Sequence, residues 1–182
     1  MKYPYSLDDY IKEVKERLKE QNIKKPHVIA HSFGARIAVK LASQNKNFFD
    51  KIVLTGGAGL KPKKTVKKTL KRLLFNFLKI FLPKERLKRF YSKDYNLLSP
   101  VMQQSFIKIV NEHLEGCLDK IENKTLLIYG SLDKETPLYM AKRFNKNIKN
   151  SSLFIIKGAG HFCFVEKPSL FNFTVKEFLL KK

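Results

Sequence analysis

A serine on a tight turn, a carboxylate and an imidazole are the side chains from which nucleophilic catalysis can be assembled. This 182-residue sequence offers one of each in a comparable local setting. Ser32 lies in Ala30-His31-Ser32-Phe33-Gly34, between the apolar run 27–30 and a helical pattern over 35–42. A serine on a sharp strand-to-helix turn is forced into a strained backbone conformation. Small residues two before and two after it relieve the crowding, and Ala30 and Gly34 occupy those places. Asp133 follows the apolar run 125–129, in Gly130-Ser131-Leu132-Asp133, with Glu135 nearby and Pro137 opening the next helix. His161 follows the run 153–156, in Gly158-Ala159-Gly160-His161.

Each of these residues also has a plainer reading. Ser32 could be a helix N-cap. Asp133 could be a loop or capping residue, with Glu135 as the functional acid. His161 could be a structural loop histidine. His31 reads as a packing or hydrogen-bonding residue, and His27 and His113 as partly exposed surface histidines. The loop Gly56-Gly57-Ala58-Gly59 has no Lys-Ser or Lys-Thr at phosphate-loop spacing, so it reads as a close-packed strand end.

The elements that must position these residues follow from periodicity. Ser6 opens a helix whose apolar stripe is Leu7, Tyr10, Ile11, Val14 and Leu18, with Asn22 as its stop. Strands are expected at 27–30, 51–54, 125–129 and 153–156, and each is short, nearly all apolar and rich in β-branched residues. Such strands suit a parallel sheet covered on both faces. Helices over 35–42, from Thr136-Pro137 and from Ser169 onward alternate with them, so the fold class is α/β. A helix starting at Ser99-Pro100 carries Met102, Phe106, Val110 and Leu114 on one side. All three candidate residues lie just past the C-terminal ends of strands, where open α/β sheets place their sites.

Taken together, HVIAHSFGARIAVKLA, LLIYGSLDKETP and GAGHFCFVEKP resemble the motifs of an α/β-hydrolase-fold serine hydrolase of the small bacterial type with a helical cap. The order Ser, Asp, His is that of the family's triad. The resemblance covers nearly the whole chain and implies roles residue by residue. Ser32 would be the nucleophile, His161 the general base and Asp133 the acid that orients it. The backbone N–H of Phe33 would be an oxyanion-hole donor, with Ala30, His31 and Gly34 completing the elbow. Residues 61–115 would be a helical cap inserted in a single, partial hydrolase domain. The implied reaction is cleavage of an ester or related acyl bond through an acyl-serine intermediate, with no metal or organic cofactor.

The resemblance also implies that a complete member carries further strands and a second oxyanion donor before the first helix found here. The elbow strand would then be an edge. That edge would invite a separate N-terminal half or a second copy as partner, and a non-catalytic remnant or split subunit is the alternative reading.

Composition frames these expectations. The net charge is +21, from 37 basic and 16 acidic residues. Residues 61–90 carry 12 basic side chains against 1 acidic, beside an apolar face of Val66, Leu70, Leu73, Leu74, Phe77, Leu78 and Phe81. A peripheral binder of membrane surfaces or polyanions is therefore a third reading. Of the basic residues 31 are lysine and 6 arginine, which argues against specific nucleic-acid recognition. The 2 cysteines, Cys117 and Cys163, suit a reducing compartment and match no zinc module. No targeting signal and no apolar run long enough for a membrane span is seen, so a cytoplasmic protein is expected.

Overall fold

The computed structural model of the protein describes residues 3–63 and 93–181. Most of the basic amphipathic segment expected at 61–90 lies outside them. The chain divides into two compact units, residues 1–6 with 62–111 and residues 7–61 with 112–182.

The second unit is a parallel α/β sandwich. β1 (Val28–His31), β2 (Lys51–Thr55), β3 (Lys124–Gly130) and β4 (Ser151–Ile156) form one parallel sheet in the order β1-β2-β3-β4. Residues alternate between its faces. Ile52, Leu54, Leu127 and Tyr129 pack on one side with α1 (Leu7–Glu20), α2 (Phe33–Gln44), α5 (Glu115–Leu118) and α6 (Leu138–Asn147). Val53, Leu126 and Ile128 pack on the other with Cys163 of α7 (Cys163–Glu166) and with Phe171 and Val175 of α8 (Pro168–Leu180). Burial on both faces explains the near-continuous apolar strands.

Local signals set the element ends. α1 stops where Asn22 adopts φ 55°, with Asn22 N–H donating to Lys19 O at 3.0 Å and Ile23 N–H to Leu18 O at 2.9 Å. This is a Schellman closure with asparagine in the left-handed position. α6 begins at Leu138 with Pro137 before it, and no side chain caps it. The hydroxyl of Thr136, expected to open that helix, is used elsewhere.

β1 pairs only with β2, so it is an edge of the described sheet, the place the family resemblance implied for this strand. Ile29 on this strand is 53% exposed. A groove of about 590 Å³ runs along the edge, lined by Val28, Ile29 and Ala30 with Tyr10, Val14 and Ile37.

In the first unit, α3 (Lys93–Leu97) is joined to α4 (Pro100–Asn111), where the amide of Gln103 donates to Tyr95 O and Leu98 O, each at 3.2 Å. The Ser99 hydroxyl accepts from Met102 N–H at 3.4 Å, as its N-cap position requires. The buried residues of α4 are Ser105 and Ile109, not the expected Met102 and Phe106. Ser105 is drawn in because its hydroxyl donates to Val101 O and accepts from Tyr5 N–H. Leu114 is a correction of another kind. It lies beyond the end of α4 and is buried in the core of the second unit.

Candidate active site

Ser32 links the end of β1 to the start of α2 at φ 48°, ψ −107°. A positive φ on a residue with a β-carbon stores roughly 1–3 kcal/mol of strain, as a strand-to-helix elbow requires. A β-carbon on Gly34 would stand 3.8 Å from Cβ of Ala30, so the two small residues face each other across the turn. The backbone of Ser32 is fully engaged. Its N–H donates to Thr55 O at 3.1 Å, and its carbonyl accepts from Ala35 and Ala58, both at 3.2 Å. The hydroxyl makes no capping bond to α2, which argues against the plain N-cap reading. Phe33 is the first residue of α2, so its N–H has no partner within the helix.

The imidazole of His161 meets Asp133, with Nδ1 donating to Oδ2 at 2.9 Å. The Asp133 side chain is fully buried and that of His161 is 12% exposed. Three further donors hold the carboxylate. Glu135 N–H and Thr136 N–H reach Oδ1 at 2.9 and 2.8 Å, and the Thr136 hydroxyl reaches Oδ2 at 2.8 Å. The carboxylate against His161 is therefore that of Asp133. Glu135 is exposed and contributes only its main chain.

The sheet order makes this arrangement a problem of reach. Ser32 follows β1 and His161 follows β4, opposite edges of the described sheet. Three strand spacings of about 4.8 Å separate them, roughly 14 Å. The loop after β4 spans that width to reach β1 by crossing the C-terminal ends of β3 and β2, and each crossing is made over a glycine. At the end of β3, a β-carbon on Gly130 would stand 2.2 Å from Gly160 O and 2.3 Å from Ala159 O. Beyond β2, a β-carbon on Gly56 would stand 3.0 Å from both Cε1 and Nδ1 of His161. The loop then ends against β1, where Nε2 of His31 lies 3.1 Å from the main-chain oxygen of His161.

Other residues brace this path. Leu132 N–H donates to Ala159 O at 2.8 Å, Gly158 N–H to the Ser131 hydroxyl at 2.9 Å, and Gly160 N–H to Oε2 of Glu166 at 2.8 Å. Beneath it Cys163 Sγ meets Thr55 Oγ1 at 3.3 Å, and burial pushes the Cys163 thiol pKa up. Gly57 is close-packed, since its carbonyl accepts the buried Tyr129 hydroxyl at 3.0 Å. The motifs alone give Thr136, Gly56, Gly130 and Glu166 no part in the site: Thr136 reads there as a helix opener and Gly56 as part of a close-packed strand end.

Among the described residues no group of three histidine, cysteine or acidic side chains is placed to hold a metal ion, and no helix is long and apolar enough to cross a membrane. Three of the apolar residues exposed in this unit are chain neighbours of the candidate residues. They are Phe33, Leu132 at 62% and Phe162 at 54% exposure.

Comparison with known proteins agrees with this fold. A family model described as alpha/beta hydrolase fold matches residues 2–88 and 58–168. The chain is 24% identical over 203 aligned positions to YugF, an uncharacterized hydrolase of Bacillus subtilis (strain 168), covering 96% of this chain and 72% of that protein. It is 26% identical over 181 positions to a 2-hydroxy-6-oxononadienedioate/2-hydroxy-6-oxononatrienedioate hydrolase of Pseudomonas putida, covering 86% of this chain and 63% of that one. The solved esterase of Exiguobacterium antarcticum superposes with a TM-score of 0.72 at 22% identity, over 97% of this chain and 75% of its own. At that identity the likeness is one of fold.

Proposed function

Because the chain belongs to the alpha/beta hydrolase fold family, we propose that it cleaves an ester or related acyl bond with Ser32 as nucleophile, His161 as general base and Asp133 as the orienting acid. The observation that carries this reading is the Asp133–His161 contact of 2.9 Å through Nδ1. It leaves Nε2 as the ring nitrogen able to take a proton. The strained elbow supplies the complementary part, a hydroxyl that makes no helix-capping bond at the start of α2.

The steps follow from this assignment. Ser32 Oγ attacks the carbonyl carbon as its proton passes to His161 Nε2. The oxyanion that forms is stabilised by the Phe33 N–H at the helix start. Collapse breaks the bond to the leaving alcohol, which takes the proton from His161. Water then gives a proton to His161 and attacks the acyl-serine, and the acid departs as Oγ recovers its hydrogen. Asp133 keeps Nδ1 protonated throughout and offsets the charge of the imidazolium.

Phe33, Leu132 and Phe162 expose apolar surface beside the three candidate residues, which favours an apolar acyl group. Hydrolysis of p-nitrophenyl esters from acetate to dodecanoate tests the reading. It expects rates that rise with chain length and fall to background in Ser32→Ala. Undiminished hydrolysis by Ser32→Ala would overturn it. Activity that appears only on adding the N-terminal strands of a complete relative in trans would instead favour a subunit that works with a partner.

The similarity to the Pseudomonas putida protein supports a second reading, in which the substrate is a 2-hydroxy-6-oxo dienedioate. Two carboxylates on such a substrate suit a chain of net charge +21. Turnover of that diacid in preference to the esters would decide for it.

A further inference from the structure

The loop that carries His161 is held to its own side of the sheet along its first half. Ala159 O and Gly158 N–H bond to the segment that follows β3, and Gly160 N–H bonds to Glu166. At its far end, where the imidazole must arrive, two anchors act on different parts of His161, and the Thr136 hydroxyl also lies 3.4 Å from Nδ1. Asp133 holds the ring at Nδ1, and His31 meets the main-chain oxygen of His161 at 3.1 Å. The first anchor sets how the ring is turned. The second sets where the main chain beneath it stops.

Hydrogen-bond chemistry defines the state of His31. A carbonyl oxygen only accepts, so Nε2 of His31 must carry the hydrogen. Burial, with the neighbouring His161 adding to it, holds the His31 pKa below the usual histidine range. The bond to the His161 carbonyl and the charge of Asp133 oppose this without reversing it. Three rings pack around the His31 imidazole, with centroids 4.6 Å away for His161, 5.2 Å for Phe162 and 5.0 Å for Phe164.

We propose that His31 is a positioning residue, a latch whose Nε2–H ties the His161 loop to the strand that carries Ser32. The proposal rests on the reading of Ser32 and His161 as nucleophile and base. It goes beyond that reading by giving a reacting role to neither ring nitrogen of His31. A direct bridge from β1 to the loop after β4 skips both intervening strands, so it fixes the one separation that the sheet itself sets at roughly 14 Å. An error of about 1 Å in placing a base can cost on the order of 10² in rate, and the latch removes that freedom.

The test uses the whole chain in three forms: parent, His31→Leu and His31→Gln. Leucine removes the donor, and glutamine restores an N–H at the reach of Nε2. Hydrogen exchange at the amides of 158–162 is expected to quicken at least about tenfold in the leucine variant and to return toward parent in the glutamine variant. Fluorophosphonate labelling of Ser32 is expected to slow by about tenfold or more and to recover in the same order. Nitrogen-15 spectra of the parent are expected to show His31 as the neutral Nε2–H tautomer at pH 7.

Parent-like exchange in His31→Leu, equal loss in both variants, or an Nδ1–H tautomer would each overturn the latch. His31→Phe, which keeps a ring against Phe162 and Phe164, substitutes for leucine should the latter fail to fold. A parent protein that takes no label at all would count against Ser32 as nucleophile, while exchange and tautomer would still decide the latch.

Discussion

Gly130, the last residue of β3, lies so close beneath Gly160 that a β-carbon on it would stand 2.2 Å from the Gly160 carbonyl oxygen. Gly160 directly precedes His161, and Gly130 stands three residues before Asp133. The close approach of these two glycines therefore lets two segments from adjacent strands converge on one imidazole. Gly56 repeats the device one strand further on, directly against the ring.

Gly130 and Gly56 should respond differently to alanine. Gly130→Ala collides with backbone, which cannot swing aside, and overpacking of this kind costs about 3 kcal/mol. For a chain of this size that is a fall in Tm of roughly 6–12 °C. Gly56→Ala meets an imidazole that can yield, at a position with φ 52°. Its strain costs about 1–2 kcal/mol, and the displaced ring should slow labelling of Ser32 by more than its smaller loss of Tm suggests. Thermal melts beside labelling rates check the contrast, and equal behaviour of the two variants would refute it.

Asp133→Asn should lower the rate by about 10⁴-fold, because the amide can present its N–H to Nδ1 and favour the wrong tautomer. Glu135→Gln should change it little, since only the Glu135 main chain bonds Asp133. Thr136→Val keeps the main-chain donor to Oδ1 and deletes the hydroxyl donor to Oδ2. It should cost about 1 kcal/mol of stability and less rate than Asp133→Asn. Single-turnover labelling of the three variants tests the order.

His31 contributes a pH dependence of stability. Its pKa in the folded protein lies below the ordinary 6.5, chiefly because of burial. Between those two values the unfolded chain binds more protons, so stability rises with pH. The contribution is complete above pH 6.5 and is lost as pH falls through the folded pKa. Urea denaturation from pH 7.5 to 5 should show a steeper loss in the parent than in His31→Gln. Parallel curves would contradict this.

The two thiols should separate cleanly. Cys163 is fully buried with its pKa pushed up by burial, whereas Cys117 is partly exposed. Iodoacetamide at neutral pH should modify Cys117 in the folded protein and reach Cys163 only on unfolding. Peptide mass analysis checks this, and equal modification of both would contradict it.

How much of this was legible beforehand depends on the range of the interaction. The four strands were readable because doubly covered parallel strands are written as local apolar runs. The Ser32 elbow was readable because Ala30 and Gly34 bracket it within five residues. Asn22 announced the end of α1 by its own left-handed preference. The crossing loop was not readable in the same way. Gly56 and Gly130 are glycines because of residues about 105 and 30 positions away, and their own neighbourhoods do not say which residues those are. Thr136 looked like a helix opener, yet its hydroxyl turns to Asp133 because a buried carboxylate needs donors more than the helix start does. Leu114 matched a helical stripe by spacing but belongs to a different unit, since periodicity does not mark where a helix ends.

The proposed chemistry turns on Ser32 being an activated nucleophile in this chain. Intact-mass analysis after exposure to a fluorophosphonate probe tests it most directly, with Ser32→Ala as control. One adduct per chain is expected, absent from the control. A folded parent that takes no adduct, or an adduct that persists in Ser32→Ala, would contradict it.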